Sequence, residues 1–505
     1  MLSILIWFPI IGAAIISFLP VKLTPSQSRL LASGIGGATF FWTLFLVSKF
    51  NYQGEGIQLS EFLPWLEFIG LNYNIGVDGL SFPLVVLNTF LIWTAIYSSD
   101  LEEEGGKPLQ RPRLFYALML ILGGCITGAL LSQNLLLFFI FYEVKLIPVY
   151  LLINIWGGEN RGYAGTKYLL YTAFSGVFVL ISFLGLVFLT SSTFDYQNLQ
   201  SQVLPFGKQI ILLVTLIIGF GIKIPLVPLH TWLPDAYTEA STPVSMILGG
   251  ILSKLGTYGL IRFGLGLFPE VWSSVAFPLA CVAVVSALYA SLVAVAQTDL
   301  KKMVAYSSIA HIAFVVLATA AGTPLSLLGA VCQMFAHGLI VALLFNLVGI
   351  VESKTGSRDL TILKGLMNPL RGLPLTGGLM ILGVMASAGI PGMVGFIGEF
   401  LSFQGSFIVF PILTLLCLVA TGLTAVYFVI LLNRAFFGRL DTKIAYLPKV
   451  QFSERTPAII LSILIVLLGL QPNLLTKFSE RTSITIATTS GTPSTPPIIY
   501  RYLKD

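Results

Sequence analysis

Three lysines, Lys145, Lys223 and Lys254, fall inside apolar stretches long enough to cross a bilayer. An ammonium at that depth costs about 2.5–3.5 kcal/mol on insertion scales, so such residues mark ion or proton pathways. A buried ammonium gives up its proton more readily than a hydrated one, which suits lysine to proton carriage. Lys223 stands in Ile222-Lys223-Ile224-Pro225-Leu226-Val227-Pro228-Leu229-His230, where prolines must break a helix. Loose carbonyls and water at such a break favour proton exchange over mere packing. Lys254, central in 243–265 on unbroken helix, is the natural next station.

Glu143 lies near the middle of 134–155, in Phe141-Tyr142-Glu143-Val144-Lys145. It is expected to pair with Lys223 across the bundle, and opening that pair would drive both groups toward neutrality. The competing reading is a static ion pair that fixes helix packing. Lys145 lies two residues on, about 200° round a regular helix, and is expected to face elsewhere, snorkelling or pairing separately. His337, in Gln333-Met334-Phe335-Ala336-His337-Gly338, is a candidate relay because imidazole titrates near neutral pH. His311 is the weaker candidate and reads equally as a satisfied core histidine, while His230 belongs near the proline break. Glu399, after Gly389-Ile390-Pro391-Gly392, is the terminal carboxylate. Asp235 and Glu239 follow the first break and read as caps of its second half-helix.

Other chemistries are excluded by composition and motif. Of 505 residues, 56% are hydrophobic and 10% charged, against about 25% charged in soluble domains. No segment carries a soluble domain's balance. Cys125, Cys281, Cys332 and Cys417 all lie in apolar stretches without C-x-x-C spacing, so they read as packing residues, not zinc, iron–sulfur or disulfide ligands. Three unpaired histidines make no metal site. No dinucleotide fingerprint, P-loop or haem motif occurs, so the chain carries no electrons and binds no cofactor. The net charge of +6 reflects orientation in a membrane and not nucleic acid, because the basic residues are spread over loops.

These side chains require an all-α membrane protein of about fourteen transmembrane helices. The segments run roughly 2–19, 30–48, 80–98, 114–131, 134–155, 166–190, 209–238, 243–265, 273–297, 302–320, 325–350, 372–405, 408–437 and 457–472. The first lacks a basic n-region and reads as a helix, not a cleaved signal. Two segments are broken: 209–238 at Pro225, Pro228 and Pro234, and 372–405 at Gly389 to Gly392. Paired breaks in separate halves point to two inverted five-helix repeats. The organisation expected is helices 1–3 in 1–113, a first repeat in 114–265, an inverted second repeat in 273–437, and a last helix with a flexible tail in 438–505. Segment 408–437 reads as one long tilted helix. The hydrophilic 51–78 reads as an outer hairpin. Most of the 28 Lys and Arg fall on one side, including Lys22, Arg113, Arg161, Lys301, Lys302 and Lys443. The other side has few beyond Lys49, Lys208 and Arg262. The rich side is therefore cytoplasmic and both termini lie outside. The Thr- and Pro-rich tail after Asn473 has nothing to build a core and is flexible or docked on a partner.

The stretch Lys223 to Ala236, followed by Glu239-Ala240-Ser241-Thr242-Pro243-Val244-Ser245, resembles the antiporter-like subunits of complex I and its relatives. Leu136 to Glu143, Asp299-Leu300-Lys301-Lys302-Met303-Val304-Ala305-Tyr306 through His311, and Gly389-Ile390-Pro391-Gly392 with Glu399 extend the match over nearly the whole chain. A glutamate at the last site is similar to the chain 4 branch of the NAD(P)H–quinone oxidoreductases. Ile147-Pro148-Val149-Tyr150 and Trp156-Gly157-Gly158 resemble its cyanobacterial and plastid form. The resemblance implies a proton-translocating subunit in the thylakoid membrane, with termini in the lumen. It also implies partner subunits that include a second antiporter-like chain, and lipids. NAD(P)H or ferredoxin, iron–sulfur clusters and plastoquinone would be handled by other subunits. Glu143, Lys223, Lys254, His337 and Glu399 match the family's proton-channel residues, with Lys145, His230, Asp235 and His311 in support. Three positions depart: Lys145 replaces a common second acid, Tyr237 a usual histidine and Ala310 a usual serine. They resemble a specialised paralogue, such as the variants of the carbon-dioxide-uptake complex.

Two other functions compete. A subunit of a multi-chain sodium/proton antiporter would share this fold. A structural membrane anchor for a carbon-dioxide-hydration module would not need five intramembrane ionisable sites.

Overall fold

A computed structural model describes the chain except residues 21–22, 100–101, 104–106, 203, 441–446 and 490–505, and the side chains of 102–103 and 107–108. Lys22, Lys443, part of the acidic run after residue 100 and the proline-rich end of the tail lie outside the described residues. Helices α1 (Ser3–Phe18) and α2 (Pro25–Val47) lead to an antiparallel hairpin, β1 (Gln58–Leu66) and β2 (Leu71–Val77), as the polar 51–78 suggested. Then come α3 (Ser81–Tyr97), α4 (Pro112–Leu131), α5 (Leu135–Val144), α6 (Leu146–Trp156), α7 (Arg161–Thr190), the short α8 (Tyr196–Gln200) and α9 (Phe206–Lys223). After the first break follow α10 (Trp232–Glu239) and the span Thr242–Leu265, which contains α11 (Thr242–Ile247) and α12 (Lys254–Gly259). The second half comprises α13 (Pro269–Val295), α14 (Leu300–Ala321), α15 (Pro324–Thr355), α16 (Pro374–Ser387), α17 (Val394–Phe407), α18 (Pro411–Ala435), α19 (Phe452–Leu470) and α20 (Asn473–Thr489).

Local signals start these helices. Asn134 accepts from the amides of Leu136 and Leu137 at 3.2 Å, and Asp299 from those of Lys301 and Lys302 at 2.7 and 3.1 Å. Thr24 and Gln27 form a reciprocal cap on α2. Proline opens α2, α4, α13, α15, α16 and α18, where its missing N–H has no partner to lose. Among the described residues, eleven helical spans are long and apolar enough to cross a membrane, and α1, α3 and α16 are shorter apolar helices. The span Thr242–Leu265 is wholly buried and α14 and α15 nearly so, whereas only about a third of α2 and of α19 is buried. The buried ones form the centre; the others turn faces such as Leu170, Phe174, Val177 and Ile181 of α7 outward, as lipid-facing helices do.

Both breaks re-pair backbone groups that they free, as a membrane interior demands; at the second the Ile390 amide donates to the Met385 carbonyl at 3.2 Å. Trp232 Nε1 donates to the Ile222 carbonyl at 2.8 Å, and the Val227 amide donates to Ser286 Oγ at 2.9 Å. At the second break Gly389 holds φ +68, a left-handed turn that ends α16 without Cβ strain.

One expectation fails in part. The tail's composition predicts a flexible segment or one docked on a partner, but Asn473–Thr489 folds as α20 and docks on this chain itself, at Gly79. Ser479 Oγ donates to the Gly79 carbonyl at 2.6 Å, and the Gly79 amide donates to Thr482 Oγ1 at 3.0 Å. Few apolar residues are needed, because one narrow face (Leu475, Ser479, Ser483, Ala487) makes the contact.

Candidate functional site

The buried ionisable side chains collect in two groups along the core. The first is built by α5, the α5–α6 junction and the end of α9. Lys223, the last residue of α9, is fully buried, and its Nζ meets no oxygen acceptor; its polar side-chain neighbour is the Lys145 amine. It lies 4.7 Å from the centroid of the Tyr142 ring. Glu143 is an electrostatic neighbour of Lys223, but no hydrogen bond joins them, and Glu143 Oε1 is unpartnered. The expected direct pair is thus an opened one here. The Glu143 carboxylate sits in a notch on α7, where a Cβ on Gly176 would come within 2.3 Å of Oε1.

Lys145 does not face away, as regular helical geometry suggested. It joins α5 to α6 with helical φ −62 and ψ −17, so the reach of the side chain, not a change of backbone step, decides its neighbours. Its side chain folds back, donates to the Tyr142 carbonyl, and lies 3.7 Å from the Tyr142 ring centroid. Lys145, Lys223 and Glu143 therefore share one neighbourhood around Tyr142.

The second group spans Thr242–Leu265, α14, α15 and α17. Lys254 Nζ is 2.8 Å from His337 Nδ1 and donates to the Gly249 carbonyl. That carbonyl lies in a π-helical stretch, Leu248–Leu252, and a second one, Leu260–Leu265, follows Lys254 on the same span. The rings of His337 and His311 are 5.6 Å apart. His311 Nδ1 is 2.9 Å from Glu399 Oε1, and His311 Nε2 is 3.1 Å from Ser387 Oγ, at the end of α16. His311, the weaker candidate in sequence, thus stands directly between His337 and Glu399. A Cβ on Gly389 would come within 2.8 Å of Glu399 Oε2, so both acids rest against glycines. The two groups meet through helix packing: a Cβ on Gly256, two residues past Lys254, would touch Lys223 Cβ at 3.3 Å.

The remaining candidates sit apart. His230 is buried in the first break against Tyr289, with Nδ1 unpartnered. Asp235 lies in the first turn of α10, where a carboxylate suits the helix dipole, but makes no cap hydrogen bond; its carboxylate is 2.7 Å from Lys167 Nζ of α7. Glu239 accepts from the Asn160 amide at 2.9 Å and faces Arg358, which also pairs with Asp299 at 2.7 Å. Lys301, expected in a loop, is buried and donates to the Ala240 carbonyl at 2.5 Å, where a cation complements the end of α10. Arg262 is likewise no loop residue. It is buried against Asp78 at 2.5 Å, between the rings of Tyr196 and Tyr258. Sequence reasoning missed Asp78, Tyr142, Gly176 and Ser387. Tyr142 adjoins Glu143, but nothing in the spacing of Asp78 or Ser387 points to their partners.

Residues 132–424 match the family model described as NADH:quinone oxidoreductase/Mrp antiporter, transmembrane. The chain is 38% identical over 503 residues to NAD(P)H-quinone oxidoreductase chain 4 3 of Trichormus variabilis, covering 96% of this chain and 91% of that one. Among solved structures, a chain of respiratory complex I from Thermus thermophilus with bound NADH superposes with a TM-score of 0.88 at 26% identity, covering 97% of this chain and all of that one. A chain of the Mrp complex from Dietzia sp. shares the fold, with a TM-score of 0.85 at 20% identity, covering 97% and 99%. The chain therefore belongs to the NADH:quinone oxidoreductase/Mrp antiporter family, as a complex I-type antiporter-like membrane subunit whose relatives are named NAD(P)H-quinone oxidoreductase chain 4.

Proposed function

We propose that this chain carries protons across a membrane within a multi-subunit NAD(P)H- or ferredoxin–plastoquinone oxidoreductase, driven by electron transfer in other subunits. The observation that carries the reading is the unbroken contact series Lys254–His337–His311–Glu399 inside a membrane-spanning bundle. Four titratable groups in line, each buried, are costly to keep and suited to passing a charge. In this reading Glu143 and Lys223 load the path. When their separation leaves the Lys223 ammonium uncompensated, its proton moves to Lys254. The charge arriving there disfavours protonation further along, and Glu399 releases its proton outward.

The same reading takes fourteen crossings, combining the eleven long spans with α1, α3 and the broken α16–α17. It groups 114–265 and 273–437 as inverted repeats and puts both termini in the thylakoid lumen. It holds the redox cofactors, including iron–sulfur clusters and plastoquinone, in partner subunits, one of them a second antiporter-like chain. The departures at Lys145, Tyr237 and Ala310 favour the carbon-dioxide-uptake variant of the complex.

The test is reconstitution of the assembled complex in proteoliposomes with a pH-sensitive dye inside. Lys254→Met should assemble, retain electron transfer at a reduced rate and lose proton translocation. Wild-type translocation by that variant sinks the relay. Purification of the tagged chain decides between an oxidoreductase complex and a sodium/proton antiporter: quinone-reducing partners support the first, exclusively antiporter subunits the second.

A further inference from the structure

Around Tyr142 the charges do not balance. One carboxylate, Glu143, faces two lysines, Lys145 and Lys223, both fully buried. Glu143 and Lys223 can neutralise each other; a second ammonium beside them would be a buried charge without a counter-ion, which proteins avoid by shedding the proton. The low-energy state is therefore one carboxylate, one ammonium and one neutral amine.

The surroundings offer that single proton two resting places. On Lys145 the ammonium is held by the Tyr142 carbonyl and by the ring, 3.7 Å from its centroid. On Lys223 it has the same ring at 4.7 Å and only the Lys145 amine as a side-chain partner, at the broken end of α9. The first place is the better solvated by protein; the second is packed against the span that carries Lys254. The other titratable side chains nearby, Cys125 on α4 and Tyr168 on α7, are a thiol and a phenol and not carboxylates.

We propose that Lys145 is a second proton-carrying amine, exchanging one proton with Lys223 over the ring of Tyr142, so that Lys145 stores the proton that Lys223 forwards. The step balances without a co-reactant. An N–H bond of the Lys145 ammonium breaks, its electron pair stays on that nitrogen, and the lone pair of Lys223 takes the proton. Glu143 remains ionised throughout. The inference rests on the proton-translocation reading above.

Three variants of the intact complex, compared at equal assembly in proteoliposomes, test it. Lys145→Met removes the store and should cut translocation per electron by about a hundredfold, the low end for a positioned proton-transfer group. Lys145→Arg keeps the cation, the ring contact and the carbonyl bond, but arginine does not release its proton. A fixed charge would oppose every protonation of Lys223, so Lys145→Arg should pump less than Lys145→Met. Arginine equal to or better than methionine overturns the proposal, because a structural cation would then suffice. Lys223→Met is the control: full pumping there overturns the relay and this inference together. Loss there with wild-type pumping in both Lys145 variants overturns this inference alone. Should the arginine variant not assemble, Lys145→Gln replaces it, since it still donates to the Tyr142 carbonyl. Pumping reduced as in the methionine variant supports the proposal, and wild-type pumping overturns it.

Discussion

His311 Nδ1 lies 2.9 Å from Glu399 Oε1, joining α14 to α17 at the level of the second helix break. With Nε2 beside Ser387 Oγ, one imidazole ties the acid to the end of α16 as well. Glu399→Gln keeps size and hydrogen bonding but removes the charge. In the assembled complex it should lower proton translocation by about tenfold or more while electron transfer continues. His311→Gln should do the same, since it interrupts the series one step earlier. Full pumping stoichiometry in Glu399→Gln would show that protons leave by another route.

Gly176 gives a prediction of opposite sign to helix propensity. Alanine in a helix interior is normally favoured over glycine by about 1 kcal/mol. Here the added methyl would meet Glu143 Oε1 at 2.3 Å and push the carboxylate away from Lys223. Gly176→Ala should leave the amount of assembled protein unchanged or raised, yet slow translocation; unaltered turnover would show that the notch does not position Glu143.

The buried Asp78–Arg262 pair predicts a stability effect. Asp78→Ala would strand the guanidinium between Tyr196 and Tyr258, at a cost of about 3–5 kcal/mol. Adding Arg262→Met should recover much of the loss. Thermal unfolding in detergent checks both, and a double variant no more stable than the single one would refute the coupling.

Sidedness is open to chemical labelling. Leu370, between α15 and α16, is 92% exposed and lies on the same face as the loop before Lys301. Arg481 on α20 lies on the opposite face, beside the hairpin. An impermeant thiol reagent applied from the cytoplasmic or stromal side should modify Leu370→Cys and spare Arg481→Cys. The reverse pattern would invert the orientation.

The elements of this fold were legible where local chemistry decides them. Pro225 and Pro228, and the Gly389–Gly392 turn, each interrupt a helix where their backbone limits require, and the polar 51–78 becomes the hairpin. What escaped depended on contacts made across the bundle. A regular helical step points Lys145 away from Glu143, but its long side chain folds back onto Tyr142, one turn earlier. Arg262 reads as a loop charge until Asp78, remote in sequence, is brought beside it. His311 reads as an ordinary core histidine because its closeness to Glu399 is a fact of packing between α14 and α17. The Ser- and Thr-rich α20 lacks the apolar density of a core element and gains its order from packing on α15 and from bonds to the Gly79 backbone.

That last contact also bears on how the molecule is made. Gly79 and Ser479 are 400 positions apart, and the residues between them include nearly every membrane span. A ribosome finishes α20 only after those spans have been delivered to the bilayer, so the clasp on Gly79 is among the last contacts to form. Because such distant pairing is slow and follows insertion, it reports that the spans before it are in place. A polypeptide cut short before Asn473 would keep every span while presenting bare backbone at Gly79, a difference that quality-control proteases could read.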